Sequence, residues 1–318
     1  MPGQTEAESA MLKGVRVLIG PTLFGAGNPT PIERLRQMGA DVVANPYGRR
    51  LSKDDLRMLL PGAAGLIAGL EPLSRDVLEQ SGLKVISRCG TGLSNVDLEA
   101  AERLGIIVKH TPDIPTTAVA ELTVGAMIAL MRHLPAMDRD LHSGTWEKRM
   151  GRQLEGKTVL LVGYGRIGQR VAALLRPFNV RVLAADPALR HAMDGVAVLP
   201  LEEALPQADV ISLHASGEAE ILGEREFARM KPEVFLLNAG RGGLVNEPAL
   251  CRALDRGIVA GAWLDTFVEE PYAGPLTRYP QVLLTPHIGS ASLECRTRME
   301  LAAVENLLEA FASFSTGR

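Results

Sequence analysis

Residues 158–175, TVLLVGYGRIGQRVAALL, constrain this chain more than any other stretch. An apolar, partly β-branched run leads straight into Gly163-x-Gly165-x-x-Gly168, and an alanine- and leucine-rich helical pattern follows. A strand that enters a helix through so tight a turn opens a parallel α/β unit, because parallel strands reach their neighbours only through a crossover. The first glycine permits the turn, the second lets a pyrophosphate approach the backbone, and the third lets helix and strand pack closely. The amides at the helix start, near Arg166 and Ile167, lack helical acceptors and lie at the positive end of the dipole. The next strand, VRVLAAD, ends at Asp186, about twenty residues on. A carboxylate there accepts hydrogen bonds from ribose hydroxyls and repels a 2′-phosphate, so the expected cofactor is NAD rather than NADP. Arg190 lies too far along to be the usual phosphate anchor.

The same alternation runs along most of the chain. Strands are predicted at residues 15–20, 42–44, 66–68 and 85–87, and helices at 31–38, 53–60 and 96–104. A long helical pattern covers 116–142, with Pro135 expected to end or kink it. Beyond residue 158 the apolar runs ADVISLH, EVFLLNAG, VAGAWLD and VLLTPH lengthen, as strands buried on both faces do. The chain therefore reads as α/β with two parallel sheets. The last segment, 291–314, is helical and has no strand after it.

Composition bounds the rest. The 318 residues suit two domains, and with 4% aromatics the core must be filled by aliphatic side chains and Met. A net charge of −3 supplies no basic footprint for nucleic acid or an anionic membrane. Residues 122–130, the longest apolar stretch, are too few to span a bilayer and read as a buried helix. Cys89, Cys251 and Cys295 are odd in number and far apart, without metal-ligand spacing, so they are expected as reduced thiols in a cytoplasmic protein, with no metal site. Residues 1–10 are polar and are expected to be a frayed tail rather than a targeting signal.

Three polar residues fall at or just beyond predicted strand ends: Arg241 after VFLLNAG, Glu270 after GAWLDTFVE, and His287 after VLLTP. Open α/β sheets bind ligands outside the carboxyl ends of their strands, where these three would meet. A guanidinium there holds a carboxylate in a bidentate pair and polarises a carbonyl. An imidazole exchanges a proton with a hydroxyl, and a carboxylate fixes the imidazole tautomer. Taken singly, each has a plainer reading: a surface ion pair, a solvated loop carboxylate and a helix-capping histidine.

In order and spacing, GYGRIGQRVA…AADP, NAGRGGLVNEPAL, GAWLDTFVEEP and TPHIGSAS resemble the signatures of the NAD-dependent D-isomer-specific 2-hydroxyacid dehydrogenases. The resemblance runs from about residue 85 to about residue 298, and RCGTGLSNVDLEAAERLGI and TWEKRMGRQLEGKTV are most similar to the catalytic core of D-3-phosphoglycerate dehydrogenases. It implies two Rossmann-like domains: a discontinuous substrate domain (1–112, with 290–318 returning to it) and an NAD-binding domain (113–289). It implies Arg241, Glu270 and His287 as the catalytic residues. Cofactor contacts would fall on Gly163, Gly165, Arg166, Ile167, Gly168 and Asp186, and further on Thr91, Ala239, Asp265, His287 and Gly289, with Asp265 facing the nicotinamide carboxamide. The loop around Gly90, Thr91 and Gly92 would meet the substrate carboxylate through its amides, with Arg88 beside it. The implied reaction interconverts a small 2-hydroxy acid and its 2-keto acid, and the helix near 116–134 implies a homodimer.

Two segments depart from the family pattern. SLHASGEAE carries Ser216 where the family has proline, and His214 reads as a structural or cofactor-edge histidine. Gly69, Leu70 and Glu71 stand where a phosphate-binding arginine is expected, and Glu71 would repel a phosphate. That weakens 3-phosphoglycerate/3-phosphohydroxypyruvate as the substrate pair, although Arg88 could still reach a phosphate; the alternative is a glyoxylate or hydroxypyruvate reductase. Trp146 is expected between the domains or at a subunit contact. A different class, an NADH-sensing corepressor-like interaction protein, shares the same fold, and a phosphite-type oxyanion substrate is a further variant. Partner capture with and without NADH, beside a turnover assay, separates sensing from catalysis.

Overall fold

The structure, a computed structural model, describes residues 11–189, 191–193 and 195–316. The expectations for the N-terminal tail and for Arg190 lie outside those residues. The chain divides into two compact units, Met1–Pro115 with Ser290–Arg318, and Thr116–Gly289.

The first unit alternates β1 (Arg16–Ile19), α1 (Thr30–Gln37), β2 (Asp41–Ala44), α2 (Lys53–Leu59), β3 (Ala63–Ala68), α3 (Arg75–Glu79), β4 (Val85–Arg88), α4 (Leu98–Arg103) and β5 (Ile107–His110). All strands are parallel, in the order β2-β1-β3-β4-β5. Local chemistry sets the helix starts. Ser52 and Asp55 form a capping box at α2, and Asp97 accepts the Ala100 amide at α4. The sequence reading starts β3 three residues late, because Ala63-Ala64-Gly65 carries no β-branched signal, and leaves α3 and β5 unassigned.

The second unit begins with α5 (Thr116–Met131) and α6 (Leu134–His142), then runs β6 (Thr158–Val162), α7 (Arg166–Leu175), β7 (Arg181–Ala185), β8 (Ala197–Val198), α8 (Leu201–Ala204), β9 (Val210–Leu213), α9 (Glu224–Phe227), β10 (Val234–Asn238), α10 (Glu247–Asp255), β11 (Val259–Leu264) and β12 (Val282–Leu284). Its seven strands are parallel, in the order β12-β11-β10-β9-β6-β7-β8. Every residue of β6, β9 and β10 is buried. The two-residue period sends Leu160 and Val162 into one core layer and Val159 and Leu161 into the other, which is why the strand reads as a continuous apolar run. Pro135 does not end α5 itself. The chain bends by 65° between α5 and α6, and Pro135 lies in the first turn of α6, where a missing N–H costs no hydrogen bond.

After β12, α11 (Leu293–Thr316) packs on the first unit. The Ser87 hydroxyl donates to the Ala303 carbonyl at 2.7 Å, and Phe311 and Leu307 lie over Gly65. Gly65 leaves room for them, since a Cβ there would come within 3.2 Å of Phe311. No single helix among the described residues is long and apolar enough to cross a membrane.

Candidate active site

The order of the larger sheet reverses between β6 and β9, the place where open α/β sheets take their ligands. Gly163 ends β6 with φ of +89°, and its backbone touches the chain after β9. A Cβ there would lie 2.5 Å from the Ala215 nitrogen, and one on Gly168 would lie 2.4 Å from the Gly163 carbonyl oxygen. A Cβ on Gly165 would meet nothing within 4 Å, so the backbone at the start of α7 is open on that side. Gly165 caps α7 without a side chain, so no side-chain cap competes with a ligand's phosphates at the first turn of the helix. The Ile167 side chain packs into the core. Asp186, just past β7, accepts from the Tyr164 amide (2.7 Å) and the Ala188 amide (2.9 Å), so its carboxylate is held beside the glycine turn. These residues fit a dinucleotide. Substituting Gly163 with Ala puts a Cβ into backbone at a strained φ. We expect a lower melting temperature, corresponding to about 1–3 kcal/mol, and weaker NAD binding by calorimetry; an unchanged affinity would show that this turn does not hold the cofactor.

Arg241, Glu270 and His287 follow β10, β11 and β12, at the carboxyl ends of three adjacent strands. His287 Nδ1 is 3.0 Å from both Glu270 oxygens. The carboxylate accepts from Nδ1–H, which leaves Nε2, without a hydrogen-bond partner among the described residues, as the nitrogen that exchanges a proton. Glu270 Oε1 also accepts from the Phe267 amide at 3.2 Å, fixing the carboxylate plane. His287 has φ of +53°, a conformation that β-carbon-bearing residues adopt only under constraint. The constraint is a buried hydrogen-bond chain. Trp263 Nε1 donates to Thr285 Oγ1 (2.9 Å), Thr285 Oγ1 donates to Asp265 Oδ1 (2.6 Å), and Asp265 accepts the amides of Ile288 (2.8 Å) and Gly289 (2.7 Å) just after the histidine. Burial pushes the Asp265 carboxyl up, and these donors pull it back. Asp265 and Gly289 thus shape the histidine turn.

Arg241 is half-buried, and its Nη1 donates to its neighbour's carbonyl, Gly240 O, at 2.9 Å. The turn that presents it is built by Asn238, a fully buried amide that donates to Arg241 O and accepts from Gly240 N. Gly242 lets that turn approach the loop carrying Glu270, since a Cβ there would lie 2.0 Å from the Phe267 carbonyl carbon. Ala239, between Asn238 and Gly240, donates its amide to Leu213 O. The sequence reading passed over Asn238, Gly242 and Thr285. The one signal available was a polar residue at the end of an otherwise apolar strand. His214 sits at the end of β9 with Nε2 2.9 Å from Ser212 Oγ. Burial lowers it to about 4, so it is a neutral structural histidine near pH 7.

Arg88, Gly90, Thr91 and Gly92 lie in the first unit, at the end of β4. Arg88 is buried, and its Nη1 donates to Cys89 O at 2.9 Å above Gly90. A Cβ on Gly90 would lie 1.2 Å from that nitrogen. The Gly90 amide is shared between Thr111 Oγ1 (2.8 Å) and Arg88 O (3.0 Å), so it is engaged within the protein. Thr91 Oγ1 itself donates to Pro112 O at 3.2 Å. Glu71 is not presented to a ligand as the sequence suggested. It is 1% exposed and accepts from the Gly69 amide at 2.8 Å. Burial pushes its carboxyl up, while the Gly69 amide and the Arg88 and Arg50 guanidinium groups pull it down. Trp146 is 82% exposed.

A dinucleotide turn at one switch point, with a guanidinium and an imidazole–carboxylate pair on neighbouring strand ends of the same sheet, defines a nucleotide-dependent α/β oxidoreductase architecture. Residues 124–289 match the family model described as "D-isomer specific 2-hydroxyacid dehydrogenase, NAD binding domain". The chain belongs to the D-isomer specific 2-hydroxyacid dehydrogenase family. It is 37% identical over 294 residues to D-3-phosphoglycerate dehydrogenase of Homo sapiens, covering 89% of this chain and 54% of that protein. It thus spans about half the length of the curated relatives of that name. It is 34% identical over 270 residues to hydroxypyruvate reductase of Thermotoga maritima, covering 81% of this chain and 88% of that one. The TT0316 protein of Thermus thermophilus superposes with a TM-score of 0.86 at 37% identity, over 94% of this chain and 97% of that one.

Proposed function

We propose that this protein interconverts a small D-2-hydroxy acid and its 2-keto acid with NAD. The observation that carries the reading is the His287–Glu270 pair, 3.0 Å apart, on the sheet whose glycine turn and Asp186 fit the dinucleotide. When bound, NAD supplies or accepts the hydride. In the reductive direction, Nε2–H of His287 gives its proton to the carbonyl oxygen, and in oxidation Nε2 takes it back. Glu270 holds Nδ1–H and balances the imidazolium charge. Arg241, its plane set by Gly240 O, grips the substrate carboxylate with its remaining N–H groups. The amides of Thr91 and Gly92 and the turn built on Asp265 complete the residues assigned to substrate and cofactor. The relatives' names supply the candidate substrates, 3-phosphohydroxypyruvate and hydroxypyruvate or glyoxylate. NADH oxidation across a panel of 2-keto acids, phosphorylated and not, tests the assignment: turnover is expected with at least one, and none with any member would refute it.

The working form we infer is a cytoplasmic homodimer. Leu141, Trp146 and Met150 are exposed at 55%, 82% and 94%, in or beside an extended segment that follows α6. Large apolar side chains grouped this way on a free surface mark a self-association site. The three cysteines are free thiols, which suits a reducing compartment. Analytical ultracentrifugation should give twice the 34.1 kDa chain mass, and Trp146→Glu should shift it toward the monomer; a monomeric wild type would overturn the dimer.

A further inference from the structure

We propose that Tyr272 is a positioning residue for the proton transfer: through Phe267 it holds the Glu270 carboxylate on His287 Nδ1. This deepens the reaction proposed above and rests on it. The chain has 4% aromatics, and the one stacked ring pair among the described residues brackets Glu270. Phe267 and Tyr272 face each other with ring centroids 4.2 Å apart and planes 20° from parallel, and Glu270 lies on the loop between them. The same Phe267 gives its amide to Glu270 Oε1 at 3.2 Å, and both Glu270 oxygens lie 3.0 Å from His287 Nδ1. The Phe267 backbone also abuts the turn after Arg241, where a Cβ on Gly242 would lie 2.0 Å from the Phe267 carbonyl carbon. Both rings pack against the larger core of this unit.

Tyr272 is itself fixed at its far end. The Leu276 amide donates to Tyr272 Oη at 3.1 Å, and Leu276 is fully buried. Glu247, in the first turn of α10, lies beside the same hydroxyl. Gly274 makes the room: a Cβ there would come within 2.5 Å of Oη and 2.6 Å of the ring. A strut therefore runs from Leu276 in the core, through two rings, to the amide that Glu270 accepts. Burial pushes the phenol up to about 12, the Leu276 amide opposing and Glu247 adding to it, so the ring stays uncharged across the neutral range. Among the described residues of this unit, the other charged groups on the neighbouring strand ends and loop are Asp265, whose carboxyl feels the His287 charge, the exposed Glu269, and Arg241 after β10. Asp265 is held separately, by Thr285 and the Ile288 and Gly289 amides, so loss of the strut acts on Glu270.

A carboxylate held at Nδ1 favours the imidazolium that reduction needs. The test follows kcat/KM against pH for the full chain with NADH and the best-turned-over keto acid of the panel. Activity is expected to fall as pH rises and the imidazolium is lost. Tyr272→Leu removes the ring and the hydroxyl. It should move that alkaline limb about half a pH unit or more toward acid and lower kcat about tenfold, with the NAD dissociation constant within about twofold of wild type. Tyr272→Phe keeps the ring and should leave the limb in place. Phe267→Leu removes the other ring, keeps the amide and should reproduce the acid shift; it carries the test if Y272L shows no folded thermal melt. A folded Y272L or F267L protein whose limb does not move, however low its kcat, makes the stack merely structural and overturns the proposal. So does a Y272F protein that shifts as far as Y272L. Turnover of no keto acid by the wild type removes the proposed reaction, and this inference falls with it. Turnover with an unmoved limb removes this inference alone.

Discussion

His287→Ala lowers kcat for keto-acid reduction by about 10²-fold or more, with the NAD dissociation constant changed only a few-fold. In the proposed reaction the imidazole is the proton donor, held by Glu270 at Nδ1. The residue also sits at φ of +53°, where alanine is no more comfortable than histidine, so the backbone cost is similar in both proteins and the loss is chemical. The Asp265, Thr285 and Trp263 chain still holds the Ile288 and Gly289 amides, and the cofactor turn around Gly163 lies on other strands. Stopped-flow reduction beside calorimetric NAD titration separates the two effects. Unchanged turnover in a folded H287A protein removes the histidine from the mechanism.

Arg241→Lys lowers kcat/KM by about 10²-fold or more, and the conservative charge does not rescue it. The guanidinium is planar, and with Nη1 tied to Gly240 O its other N–H groups remain for a bidentate pair in the proposed reaction. A lysine ammonium keeps the charge but loses the second parallel hydrogen bond and the fixed plane. KM for the keto acid should rise as well as kcat fall, because the carboxylate grip acts in the ground state and in the transition state. The steady-state constants of R241K over a substrate range decide this. A lysine variant with wild-type kcat/KM shows that charge alone suffices and that the bidentate grip is absent.

Much of this site is legible in sequence because its parts are tied to strand ends. Gly163-x-Gly165-x-x-Gly168 follows a run of buried residues and precedes a helix, and geometry leaves such a turn few other uses. The positions of Arg241, Glu270 and His287 follow from counting past three apolar strands. What stayed hidden is how each side chain is held. Nothing in ADV, EVF or VAGAW says that Asn238 folds back on the Arg241 turn, or that Trp263 reaches Thr285, because those contacts join strands 20 or more residues apart or depend on a turn's φ. Glu71 shows the same limit. Its charge argues against phosphate from the sequence, yet only the packed structure shows that it is buried and held by the Gly69 amide.

Periodicity and glycine spacing alone determined the α/β class, the dinucleotide turn and the three strand ends where chemistry would be found, because these depend on local geometry that a short window of residues contains. The tertiary structure alone decided that the imidazole and carboxylate meet at 3.0 Å, that Gly90 spends its amide on Thr111, and that Trp146 lies open on the surface. Those outcomes depend on which distant segments share a space, and burial and hydrogen bonding between them are set only once the sheets have packed.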